Sequence, residues 1–292
     1  EKGMHYITAT IRLRSGVAIV GAPGISPHEV VITPHPLWAP FFDQPLLGSD
    51  LMGDPALLRN VRLERFKVRG SIGAHEQNEA PEVHARGKQG IRTNQFGIRI
   101  VDDGNHYGEA QSHGLWIRNV EVRNCSMGIH IKGARDVVLE GLKLHRNGLI
   151  RRYYHNMYLR RVFSVSVRNS RFFDSPTGNG VNVSQSDYVQ LVGNLAHGNY
   201  WRGFRIEGED GDLVRGIDVR GNEAKHNRDA GLRLRNIAGG LVVGNKLWDN
   251  RPNRDTAGLS RVSPWRVHPW ATAWATRMAR RHFGIHPLWR DL

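Results

Sequence analysis

Cysteine is almost absent from this sequence: Cys125 is the only one. That excludes a disulfide scaffold and a cysteine-based zinc site, and it leaves the redox compartment open. Long apolar runs are missing as well. None approaches the roughly 18 residues a spanning helix needs, and the mean hydropathy is −0.47, so no membrane partner is expected. Lysine is scarce. Only 7 of the 41 basic residues are Lys, and the 27 Asp and Glu leave a net charge of +14. Arginine presents a planar fork that matches carboxylate, sulfate or phosphate, so the composition points to a polyanionic partner. The 292 residues suffice for one large domain or two small ones with a real core. The chain opens at Glu1, the start expected of a processed form or a fragment.

What is present is a repeat. From Leu115 to Asn250 a unit recurs in which a short apolar strand, an Asn, a second strand, another Asn, and then Gly and a third strand follow in order. The first Asn falls at Asn119, Asn169, Asn194, Asn222 and Asn245, with Gly141 in the remaining slot. The second falls at Asn124, Asn147, Asn199, Asn227 and Asn250, with Asp174 in the remaining slot. Asn and Gly tolerate the left-handed backbone of tight turns. Alternations such as Val120-Glu-Val122, Ile129-His-Ile131 and Leu232-Arg-Leu234 place apolar side chains on one face. No unit could bury that face alone, so the units must stack, and stacked coils of three parallel strands make an all-β parallel β-helix. The leucine framework of leucine-rich repeats is lacking, and no segment of this region sustains a helical period.

On these residues the sequence resembles the right-handed parallel β-helix superfamily of pectate-lyase type, over residues 1–250. The opening, with Arg14-Ser-Gly-Val-Ala-Ile-Val-Gly21 and then Val30-Val-Ile32, reads as a first coil, and His155-Asn156-Met157-Tyr158 matches a segment found in bacterial members. Right-handedness is implied by the resemblance. So is a secreted or periplasmic location, as a monomer. The superfamily includes polysaccharide lyases, hydrolases, epimerases, phage tailspikes and non-catalytic proteins.

The Gly-initiated strands align as Gly97-Ile-Arg-Ile-Val, Gly128-Ile-His-Ile-Lys, Asn156-Met-Tyr-Leu-Arg, Gly180-Val-Asn-Val-Ser, Gly203-Phe-Arg-Ile-Glu and Gly231-Leu-Arg-Leu-Arg. With the apolar residues inward, two outward columns form. One runs Arg99, His130, Tyr158, Asn182, Arg205, Arg233, and its neighbour runs Val101, Lys132, Arg160, Ser184, Glu207, Arg235. Half of these positions are Arg or Lys. Outward positions on the other strands, Val138, Ser166, Gln190, Asp218 and Val242, are blander, so the cations are expected on one face. At roughly 4.8 Å per coil, the strip would be about 25 Å long, room for about five sugar units of an acidic polysaccharide.

Cleaving a uronic-acid polymer by β-elimination, the activity the resemblance favours, needs a neutralised carboxylate, a base for the C5 proton and an acid for the leaving oxygen. Arg160, with Lys132 and Asn182, suits the first task, and Tyr158, His130 and His155 suit the others. Arg99, Lys132, Asn182, Arg205, Arg233 and Arg235 are expected to bind substrate. A non-catalytic carbohydrate-binding β-helix, or a C5-epimerase on the same fold, is the alternative. A His within hydrogen-bond reach of the Tyr158 hydroxyl would favour catalysis. Hydrolysis would need two carboxylates. Asp102-Asp103 offers a pair, but the companion motifs of polygalacturonase-type hydrolases are absent. Some β-helix lyases use calcium, for which Glu207-Gly-Glu-Asp-Gly-Asp212 offers hard oxygens. A solvated turn is the simpler reading of that segment, and no metal or cofactor is required. A nucleic-acid partner would want aromatics interleaved with cations, and the strip has a single Tyr.

Polar inserts at 71–95 and 102–114, with Arg151-Arg-Tyr-Tyr154, are expected to wall this groove. Residues 251–292 abandon the repeat, hold four of the eight Trp and carry eight Arg against two Asp. Within them Trp270, Trp274 and Met278 fall at helical spacing, as in a capping helix.

Overall fold

Alternation sets each strand. In Met157-Tyr-Leu-Arg160, Met157 and Leu159 are fully buried, while Tyr158 and Arg160 are half-buried on the opposite side. A side-chain period of two requires this. The computed structural model describes residues 1–38, 44–49, 57–72, 95–102, 112–148, 154–209 and 211–251. Among them every strand pairing is parallel, and one turn of 3₁₀ helix at Pro27–Glu29 is the only helical element. The inserts apart from their flanks, Arg151 to Tyr153, Asp103, and the tail from 252 with Trp270, Trp274 and Met278 lie outside the described residues.

The strands form a fifteen-stranded sheet I and an eight-stranded sheet II. Sheet I wraps two faces. Its broad face carries strands such as Ala134–Glu140, Phe163–Arg168 and Asp187–Val192, and its narrow face carries Lys143–His145, Arg171–Phe173 and Leu195–His197. The longer Arg59–Arg69 and Ser112–Arg123 run round the corner between the faces, bending at Arg65 and Asn119, where φ is +56 and +51. In later coils the same corner falls at Gly141, Asn169, Gly193, Gly221 and Gly244, all with positive φ. Sheet II stacks Ile11–Arg12, Leu47–Gly48, Phe96–Val101, Met127–Lys132, Met157–Arg160, Val181–Ser184, Phe204–Glu207 and Leu232–Arg235. The predicted first coil is present as Ile11–Arg12, Ala18–Val20 and Val30–Pro34. This is a right-handed parallel β-helix, the hand that parallel crossovers take almost without exception.

Inside, one apolar cluster runs the length of the stack, and each fully buried Val, Leu, Ile or Phe contributes about 1.5–3 kcal/mol. Two ladders of buried asparagine line its corners. In one, the Asn199 Nδ2 donates to the Asn227 Oδ1 at 2.9 Å, and the Asn227 Nδ2 donates to the Asn250 Oδ1 at 2.8 Å. The other runs Asn194, Asn222, Asn245 in the same way. The ladder position is one residue beyond the left-handed corner, and this corrects the repeat alignment. Asn124 and Asp174 are corner residues at φ +56 and +53, as are Asn119 and Asn169 at +51 and +49. The true ladder slots in their coils are Cys125, Ser175, Val120 and Ser170. Where Ser175 is too short to continue the ladder, Asn156 fills in from another strand. It accepts from the Asn147 Nδ2 at 3.0 Å and donates to the Asn199 Oδ1 at 3.1 Å.

Candidate functional site

Sheet II builds the two columns in the predicted register. Arg99 pairs with His130, His130 with Tyr158, Tyr158 with Asn182, Asn182 with Arg205 and Arg205 with Arg233. Beside them run Val101, Lys132, Arg160, Ser184, Glu207 and Arg235. Arg12 and Gly48 extend the first column by two coils. The strip is not uniformly open. Asn182, Ser184 and Glu207 are buried under the longer side chains around them, and exposed side chains stand at the two ends, Arg12 and Arg235.

Two imidazoles sit at the centre. His130 stacks on the Tyr158 ring, with centroids 5.2 Å apart and planes within 7°, and Phe96 lies 5.9 Å away on another side. Both of its ring nitrogens are buried without a hydrogen-bond partner. Burial, reinforced by Arg99, Lys132 and Arg160, pushes its pKa down to about 3. His155 is buried and meets Tyr158 edge-on at 5.7 Å. Its Nδ1 accepts from the Asn179 backbone N–H at 3.0 Å, and its Nε2 lies 3.1 Å from the Asn182 Nδ2. Burial, with Arg205, His130 and Arg202, pushes its pKa down to about 3 as well. A neutral imidazole accepts at one nitrogen only, so the proton sits on Nε2 and faces Asn182. The Asn182 Oδ1 accepts from Arg205 at 2.9 Å. The Tyr158 hydroxyl pairs with the Ser184 Oγ at 3.0 Å, and no imidazole nitrogen engages it.

The far end of the strip is internally compensated. Glu207 receives Arg205 at 2.8 Å and Arg235 at 3.3 Å, with Arg233 at 4.0 Å. Arg160 reaches Glu209 at 3.7 Å and Gln185 at 3.2 Å. Of the carboxylates considered for calcium, Glu207 and Glu209 are engaged by arginines, Asp212 accepts from the Gln185 amide at 3.4 Å, and Asp210 lies outside the described residues. Substituting Glu207→Gln should cost about 2–4 kcal/mol in urea unfolding, because the half-buried guanidinium groups of Arg205 and Arg233 and the exposed one of Arg235 lose their shared, buried carboxylate. An unchanged midpoint would mean that solvent already screens them.

Among the described residues no three His, Cys, Asp or Glu side chains cluster closely enough to hold a metal ion. Cys125 is buried, its thiol pushed up to about 12 by burial, and its Sγ donates to the Arg123 carbonyl.

A family model described as "Periplasmic copper-binding protein (NosD)" matches residues 78–271, well over half of the chain. The chain belongs to this family. No curated protein matches the NosD-family chain. Among solved structures it is similar to the A-module of the mannuronan C-5 epimerase AlgE4 of Azotobacter vinelandii, at 16% identity and a TM-score of 0.54, covering 84% of this chain and 64% of that one. It is also similar to the periplasmic alginate epimerase AlgG, at 13% identity and a TM-score of 0.52, covering 84% and 58%. At such identities the likeness is one of fold, and the chain spans less than two thirds of either structure.

Two features of this NosD-family chain escape sequence reasoning. The Glu207 clamp joins residues up to 28 apart through side-chain reach that no alternation pattern encodes. The narrow face also carries cations. In its paired columns, Lys67, Lys143, Arg171 and Lys246 lie beside Arg69, Arg123 and Lys225. The expectation that positive charge gathers on one face is corrected: it gathers on two. The broad face is the blander one, and there Leu241 rather than Val242 stands opposite Asp218.

Proposed function

We propose that sheet II binds an acidic, uronic-acid-containing polysaccharide and does not cleave it. The observation that carries this reading is the partner of the Tyr158 hydroxyl, which is Ser184 and not a histidine. Elimination needs a base and an acid within reach of one sugar. Here His130 presents its ring face to Tyr158, and His155 is enclosed. Both imidazoles are held neutral, with pKa values too low for efficient proton abstraction at neutral pH.

Binding asks less of the site. Arg99, Lys132, Arg160 and Arg233 face sugar carboxylates, and Tyr158, stacked on His130, offers an apolar ring edge with a hydroxyl. Arg205 and Arg235 are positioned by Glu207, and Asn182 by Arg205. The family description is periplasmic, in agreement with the expected secreted or periplasmic location. Its copper is not supported by the described residues. Copper prefers thiolate, thioether and imidazole, whereas Cys125 is a buried, protonated thiol and the two central imidazoles are ringed by cations that repel a metal ion.

Calorimetry with oligomers of galacturonate, mannuronate and glycosaminoglycan tests the proposal, alongside ultraviolet detection of unsaturated products and exchange of the C5 proton for solvent deuterium. The expected result is salt-sensitive binding that Lys132→Ser with Arg160→Ser weakens by about 10–100-fold, roughly 1.4–2.8 kcal/mol, with neither unsaturated product nor exchange. An unsaturated product abolished by Tyr158→Phe would make the protein a lyase, and exchange without cleavage would make it an epimerase.

A further inference from the structure

The narrow face of sheet I presents two outward columns along seven coils. One runs Lys67, Glu121, Lys143, Arg171, Leu195, Glu223, Lys246, and the other runs Arg69, Arg123, His145, Phe173, His197, Lys225, Trp248. Seven of these fourteen positions are Lys or Arg, as dense as the two predicted columns of sheet II. The electrostatic balance differs. Glu121 is buried and draws in Lys67 at 3.2 Å, Lys143 at 3.5 Å and Arg123 at 4.0 Å, with His28 and His145 also against it. One carboxylate thus organises three fixed cations, and the His145 hydrogen bond, with Lys67 and Lys143, holds its pKa well below the usual range against the opposing effect of burial. Glu223 takes Lys225 at 3.0 Å and the Trp248 indole N–H at 3.2 Å. Arg69, Arg171 and Lys246 are exposed and make no ion pair among the described residues, and Arg171 leans over the Phe173 ring at 5.8 Å. On sheet II, by contrast, Glu207 and Glu209 draw in Arg160, Arg205, Arg233 and Arg235.

We infer that the narrow face is a second polyanion-binding surface, separate from sheet II, that takes a carboxylated or sulfated polysaccharide, so that one molecule can bridge two polymer chains. Like charges repeated at coil spacing repel one another, and an anionic chain laid along the column relieves them. Seven coils give a track of about 30 Å. The rings on this face do not favour nucleic acid, because they are occupied with one another. His145, Phe173 and His197 stack at 4.6 and 4.9 Å with planes within 3° and 6°, and Lys225 lies over the Trp248 ring at 4.8 Å. Base stacking needs an open ring face, whereas binding carboxylate or sulfate needs only the unpaired cations.

The test uses the full chain, size-defined galacturonate and heparin-type oligosaccharides in calorimetry, and turbidity with the long polymers. Arg69→Ser, Arg171→Ser and Lys246→Ser together remove exposed side chains without ion pairs, so folding should be unaffected. The parent should bind two oligosaccharides per molecule and cloud solutions of the long polymer. The triple variant should bind one and cloud none. Arg99→Ser with Lys132→Ser should also bind one, retained on the narrow face. Unchanged stoichiometry and turbidity in the triple variant would overturn the inference, as would complete loss of binding in the sheet II variant. If the sheet II variant keeps every site of the parent while the triple variant loses one, the sheet II proposal fails and this one stands. Tighter binding of a single-stranded oligonucleotide than of either oligosaccharide to the narrow face would overturn the polysaccharide assignment.

Discussion

Replacing Asn199 by Ala should destabilise the protein by about 3–5 kcal/mol, whereas replacing Asn124 by Gly should leave stability within about 1 kcal/mol of the parent. The Asn199 side chain is fully buried and makes four hydrogen bonds. Its Nδ2 donates to the Phe172 carbonyl at 3.1 Å and to the Asn227 Oδ1 at 2.9 Å. Its Oδ1 accepts from the Ser175 N–H at 3.2 Å and the Asn156 Nδ2 at 3.1 Å. Truncation strands polar groups in a water-free corner, and each stranded group costs about 1–3 kcal/mol. The Asn227 Oδ1 keeps one partner, the Asn199 backbone N–H, so the loss stays short of the full sum. Asn124 is the opposite case. It sits at φ +56, and its Oδ1 is buried with no partner, so Gly relieves a strained backbone and removes an orphaned acceptor. Urea unfolding of the two variants decides. Equal losses would mean that the two asparagines do the same work.

That pair of residues also marks the limit of what the sequence reveals. Strand register on sheet II was legible, because Gly97, Gly128, Gly180, Gly203 and Gly231 begin strands at a point where a Cβ would strike the neighbouring coil. At Gly128 it would lie 2.3 Å from the Asn156 carbonyl, and at Gly180 2.6 Å from that of Gly203. The period of two then places every outward residue. The corners were not legible to the same precision. Asn serves at both the left-handed position and the ladder position one residue later, and the two demands, positive φ and a buried amide, select the same residue type. Only the hydrogen bonds separate them. The intrusion of Asn156 into the ladder was hidden for a related reason. Alternation set Met157 inward and Tyr158 outward, and it carried no sign that Asn156 and His155, just before the strand, both turn inward. The site was half legible. Which side chains form columns follows from alternation, whereas which cations are compensated depends on where Glu207 and Glu121 reach.

Acid should weaken the fold steeply between about pH 6.5 and pH 3, and His130 and His155 are the reason. Both pKa values fall from 6.5 to about 3 in the folded chain, chiefly through burial and then through the surrounding arginines. Below pH 6.5 the unfolded chain takes up protons that the folded chain refuses. The stability these two imidazoles contribute is therefore fully present above pH 6.5, falls as pH drops towards 3, and levels off below it. Each imidazole contributes a slope of about 1.4 kcal/mol per pH unit within that window, so the pair costs on the order of several kcal/mol by pH 4.5. His130→Phe should halve the slope. It should also leave stability at pH 7 equal or slightly raised, because the ring stack between Phe96 and Tyr158 is kept and two orphaned nitrogens are removed. Urea unfolding at pH 7, 5.5 and 4.5 reads both effects, and a flat profile in the parent would sink the assignment. The same curve bears on function. An imidazole that stays neutral to pH 3 is a weak base, so a steep profile supports binding without cleavage. A flat profile, with ordinary imidazoles near 6.5, would restore His130 and His155 as bases beside Tyr158 and reopen elimination.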